Sequence, residues 1–185
     1  MAHEIEALPE VGMRGSAAYA LPWEYKFRQT GFKRFCLLAA AIAFTGSTAL
    51  FGLFMWANHV FDIFPASPAR YEQPGVIMIF GNLVFAPVIE TGLMIALLKL
   101  SVRAGLSRLA SIVLSAVLWA FLHGTLAPLR FGGTIWSFFV FGYCYFLWSD
   151  RQPNKAFAAA CLPHTCLNLL PTIAIFGGYY AFPGK

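Results

Sequence analysis

Residues 76–100 read VIMIFGNLVFAPVIETGLMIALLKL, a run whose only charges are Glu90 and Lys99. About 20 apolar residues of helix cross a hydrocarbon core roughly 30 Å thick, so the stretch is long enough to span a bilayer. Four further runs of the same kind, 35–61, 109–127, 132–148 and 156–182, flank it. The 185-residue chain is 59% hydrophobic and only 11% charged, where a soluble domain carries about a quarter charged residues. Mean hydropathy is +0.66. The expected fold is an all-α integral membrane protein of about five transmembrane helices, with membrane lipids as its surroundings.

The polar flanks give the expected orientation. Ten of the 13 Lys and Arg residues fall in the arm before the first run (Arg14, Lys26, Arg28, Lys33, Arg34) or in the second and fourth gaps (Lys99, Arg103, Arg108; Arg151, Lys155). Only Arg70, Arg130 and Lys185 lie across from them. Basic flanks stay on the cytoplasmic side, so the N-terminus is expected inside and the C-terminus outside, in a prokaryotic cytoplasmic membrane. The net charge of +5 is thus a topology signal rather than a nucleic-acid footprint. Residues 1–34 show no short apolar core with a cleavage site, so the first run is expected to act as its own insertion signal. Within this arm, residues 23–35 alternate Trp23, Tyr25, Phe27 and Phe32 with cations, as an interfacial segment does. Residues 35–185 form the membrane domain. Trp56, Trp136, Trp148, Tyr179 and Tyr180 sit near run ends, where aromatic side chains anchor at headgroup level. Four cysteines at apolar positions lack metal-ligand spacing and read as packing residues.

Of the eight acidic residues, only Glu90 lies within an apolar run. A carboxylate in a bilayer costs several kcal/mol and persists where it meets partners or water. No Lys or Arg occupies a run core; the available partners are Asn82, Thr91, His123, His164 and Asn168. His164 and Asn168 are four apart and share a helix face. At about 1.5 Å per residue, Glu90 lies near ~15 Å from the cytoplasmic end of its run. On the same measure His164 lies near ~13 Å, Asn168 near ~20 Å and His123 at ~20–24 Å. Pro87, Pro128 and Pro163 each remove a backbone donor, which would free the carbonyls of Leu83, Gly124 and Ala159. Irregular backbone at this depth is tolerated where it is buried in protein or lines a hydrated cavity. A polar, water-accessible pocket is expected.

The sequence around these residues reads Pro87-Val-Ile-Glu90-Thr91, Trp119-Ala-Phe-Leu-His123 and His164-Thr-Cys-Leu-Asn168. Over roughly residues 76–170 this order resembles the CPBP family, the CAAX-protease and bacteriocin-processing intramembrane endopeptidases. Type II CAAX prenyl endopeptidases belong to that family. Its motifs are Glu-Glu-x-x-x-Arg, then Phe-x-x-x-His, then His-x-x-x-Asn. The third motif matches fully and the second carries Trp119 for Phe. In the first, Thr91 stands in place of the second Glu and Ile95 in place of the Arg. The resemblance implies a core bundle of four helices and an endopeptidase that hydrolyses peptide bonds with water activated by Glu90 and His123. It implies His164 and Asn168 as oxyanion donors, and a peptide substrate that is lipidated or carries a leader.

That mechanism requires no cofactor. In a zinc version, ranked second, Glu90, His123 and His164 would be ligands with water in the fourth position. Two other classes remain open. One is a non-catalytic membrane interaction or immunity protein of the same fold, which the Thr91 and Ile95 departures favour. The other is a proton-coupled carrier, disfavoured by five helices without inverted repeats.

Overall fold

A computed structural model of the chain describes residues 30–64 and 75–181. Most of the N-terminal arm, with its interfacial reading, lies outside the described residues. Each apolar run becomes one helix: α1 Phe32–Phe61, α2 Val76–Arg103, α3 Arg108–Leu126, α4 Arg130–Arg151 and α5 Pro153–Ala181. All five are long and apolar enough to cross a membrane, and no strand occurs among the described residues. The chain is an all-α integral membrane protein.

The turns after α2, α3 and α4 are short. Between α2 and α3 the chain reverses through Gly105 at φ +93°, a left-handed conformation that glycine adopts without steric cost. Ser107 then caps α3 by accepting the Ala110 amide at 3.2 Å, a standard N-cap bond. Turns this short make successive helices antiparallel neighbours. Contacts at one end of the bundle agree. Arg108 at the start of α3 pairs with Asp150 near the end of α4, and Lys155 at the start of α5 lies over the Phe32 ring of α1. The Lys and Arg residues of both turns therefore share one end with the start of α1.

α4 is the central helix and packs against α1, α3 and α5. Lipid tails are as apolar as leucine, so helices in a bilayer associate through close packing and interhelical hydrogen bonds. The α1–α4 seam uses both. A Cβ at Gly46 would collide with the Trp136 indole, whose N–H donates to the Ile42 carbonyl at 3.0 Å. A Cβ at Gly132 would press into the Phe54 ring, and the Ser47 hydroxyl donates to the Gly133 carbonyl at 2.8 Å.

This central position corrects part of the anchor reading. Trp56 and Tyr180 stand on the outside, 60% and 68% exposed. Trp148, however, is 2% exposed and meets Phe32 and Phe35 edge-on at 4.8 and 5.4 Å. Trp136 likewise gives its N–H to protein. Both belong to α4, whose ends meet other helices where a peripheral helix would meet headgroups.

Candidate functional site

The site begins with a fault in α2. Residues Gly81–Phe85 form a π-turn, in which the Ala86 amide reaches back five residues to the Gly81 carbonyl. The next amide in that register would serve Asn82, but it belongs to Pro87, which has no N–H. A donor comes from another helix: the Asn168 side-chain amide of α5 donates to the Asn82 carbonyl at 3.0 Å. The carbonyl seen to take outside help is thus that of Asn82, one residue before Leu83. A π-turn is one extra residue in a helix, and such turns occur frequently at functional sites.

One turn beyond Pro87, Glu90 points into the bundle. Its Oε2 lies 3.8 Å from Nε2 of His123 on α3 and 3.6 Å from Nε2 of His164 on α5. Three helices thus bring three of the sequence-selected residues together, with two imidazoles facing one carboxylate oxygen. The depth spread expected from sequence shrinks once the helix ends are known. α2 runs on to Arg103 and α5 starts at Pro153, each about one turn outside the apolar run. Measured from these ends, Glu90 lies at ~20 Å, His164 at ~17 Å and His123 at ~23 Å; modest tilt covers the rest.

The carboxylate and His123 are partly accessible, with side chains 21% and 25% exposed, while His164 is 5% exposed. His123 Nδ1 lies 2.9 Å from the Trp119 carbonyl, one turn back in α3. A carbonyl only accepts, so Nδ1 carries a proton, and in a neutral ring the lone pair of Nε2 is then turned toward Glu90. Two acceptors then face each other just beyond direct hydrogen-bond range. A water donating to both would satisfy them.

His164 is held by an aromatic wall from α4. The Phe141 ring stacks on the imidazole at 4.8 Å and Phe138 meets it edge-on at 5.4 Å. Phe138 in turn stacks on Trp119 at 4.8 Å, so one set of rings braces both histidines. The sequence reading did not select Phe138 or Phe141. Their spacing of three was the available signal, diluted among 19 phenylalanines. Thr91, fully buried, places its hydroxyl 3.5 Å from His164 Nδ1.

Zinc would bind nitrogen and oxygen ligands at about 2.0–2.2 Å, which sets a tetrahedral edge of about 3.4 Å. Both oxygen-to-nitrogen separations at Glu90 are longer. Among the described residues no group of three His, Cys, Asp or Glu side chains is arranged to hold a metal ion. All four cysteines are free. Two apolar grooves, of about 290 and 590 Å³, run along α3 and are lined by residues such as Val113, Val117 and Leu114; Glu90 and the histidines line neither.

Fold and cluster together define a polytopic membrane protein with a Glu–His–His centre among its helices. Comparison with protein-family models, with curated proteins and with solved structures gives no match.

Proposed function

We propose that the chain is an intramembrane endopeptidase of the CPBP kind, in which Glu90 activates water for peptide-bond hydrolysis. The observation that carries this reading is the single carboxylate oxygen faced by two imidazole nitrogens at 3.6 and 3.8 Å. Glu90 accepts a proton from water oriented by His123, and the hydroxide attacks the carbonyl carbon of the substrate. His164 donates from Nε2 to the resulting oxyanion. The Asn168 carboxamide has two N–H donors; one is held by Asn82, and the second serves the oxyanion. Glu90 returns its proton to the nitrogen as the C–N bond breaks, which yields a free acid and a free amine.

The basic end of the bundle faces the cytoplasm in this reading, which puts the N-terminus inside and the C-terminus outside a prokaryotic cytoplasmic membrane. Its substrates are peptides that reach the bilayer, carried by a lipid or an apolar leader.

The test uses purified protein in lipid nanodiscs with a library of lipidated and leader-type peptides, with cleavage read by mass spectrometry. Glu90→Gln is expected to lower the rate by about 10²–10⁴-fold, the usual worth of a general base, with thermal stability retained. Absence of any Glu90-dependent cleavage by folded protein refutes the proposal. Retention of the cellular phenotype in Glu90→Gln would also refute it and favour a non-catalytic interaction protein.

A further inference from the structure

The two imidazoles that face Glu90 differ in what lies behind them. Behind His123 is a carbonyl, which forces a proton onto Nδ1 and leaves Nε2 as an acceptor. Behind His164 is a hydroxyl, Thr91 Oγ1 at 3.5 Å from Nδ1, which can either donate or accept. What decides its role is the remaining hydrogen-bonding inventory. A carboxylate oxygen 3.6 Å from Nε2 calls for a hydrogen on that nitrogen, and the hydroxyl hydrogen is then directed at the Nδ1 lone pair. The faces of the ring are closed by Phe141 and Phe138. Its other nitrogen looks at a carboxylate oxygen, which only accepts when ionised.

We infer that Thr91 is a positioning residue that fixes His164 as the Nε2–H tautomer, so that the two histidines confront Glu90 with opposite hydrogen-bonding character. His123 offers a lone pair that orients water, and His164 offers a hydrogen that donates to a carboxylate or an oxyanion. One carboxylate oxygen thus sits between an acceptor and a donor, and the two roles cannot be exchanged. Thr91 is buried beside Glu90 and reaches the reaction only through His164. The catalytic consequence rests on the endopeptidase reading, but the tautomer does not.

Histidine-selective ¹⁵N labelling in nanodiscs reads the tautomer directly. In the unmodified protein, above the pH at which the rings are neutral, His164 is expected to show a protonated Nε2 and a lone pair at Nδ1, with His123 the reverse. Thr91→Val, which keeps the shape and removes the hydroxyl, should shift His164 toward a mixture of tautomers. Thr91→Ser should restore the original pattern. Cleavage should fall about 10–100-fold in Thr91→Val, as for other partners that orient a working imidazole, and recover in Thr91→Ser. A protonated Nδ1 on His164 in the unmodified protein overturns the inference, because Thr91 would then be accepting from His164. A Thr91→Val spectrum identical to that of the parent overturns it too. Neither result depends on cleavage, so failure here is separate from failure of Glu90-dependent hydrolysis.

Discussion

Asn168→Ala removes the only cross-helix donor seen at the Asn82 carbonyl, and the cost of doing so follows from why that carbonyl needs one. The bond is 3.0 Å long and partly buried. An unsatisfied buried polar group costs about 1–3 kcal/mol, while interhelical side-chain bonds in membrane bundles average about 0.6 kcal/mol and reach about 1.7. Partial burial argues against the top of the first range. The missing Pro87 N–H argues against the bottom of the second, because the helix cannot re-form the bond itself. A destabilisation of about 1.5 kcal/mol is expected. Pro87→Ala should return an amide to the right place in α2, so in that background Asn168→Ala should cost about 0.5 kcal/mol or less. The resulting coupling of about 1 kcal/mol exceeds the 0.3–0.5 kcal/mol error of additivity. Reversible unfolding in mixed micelles of rising SDS fraction, followed by circular dichroism, gives all four corners of the cycle. An equal cost of Asn168→Ala in both backgrounds would refute the link between the proline and the asparagine.

Two further substitutions test the packing around the site. Gly46→Ala drives a methyl into the Trp136 indole and breaks its bond to Ile42; a lost hydrogen bond of about 1 kcal/mol plus overpacking of about 1–3 kcal/mol predicts a marked loss of stability in the same unfolding assay. A Gly46→Ala protein as stable as its parent would show that α1 and α4 do not meet there. Ser115 on α3 has a buried hydroxyl without a hydrogen-bond partner, so Ser115→Ala should leave stability unchanged or raise it by up to about 1 kcal/mol; a clear loss would reveal a partner for the hydroxyl.

The helices and the carboxylate were legible in sequence for one reason. A bilayer penalises every charge and every unpaired backbone group, so the permitted pattern is coarse and a single exception such as Glu90 stands out. The i, i+4 spacing of His164 and Asn168 was equally plain, but their division of labour was not. In the structure His164 faces Glu90, while Asn168 reaches Asn82. That division depends on the π-turn, and no local residue pattern distinguishes Gly81–Phe85 from ordinary helix. The aromatic brace of Phe138 and Phe141 was hidden because a membrane helix is apolar on all sides, so hydrophobicity does not mark which face meets protein. Trp148 was misread for the same reason: a tryptophan at a helix end looks alike from the sequence whether headgroups or Phe32 and Phe35 await it.

The π-turn also carries a lesson about how such a site is altered. A helix with one residue too many is rotated, on the far side of the extra residue, by about 100° relative to the rest. Residues 76–80 and residues 86–103 of α2 are therefore two rotational registers joined by a five-residue slip. Deleting one residue from 81–85 would turn the outer half of the helix while leaving Glu90 aimed at both histidines. Inserting one after Glu90 would keep the outer half relative to the carboxylate and turn both away from the basic end. In this geometry, single-residue insertions and deletions act like the setting of a dial: the lining beside the carboxylate can be exchanged for another without a change in the residue that does the chemistry.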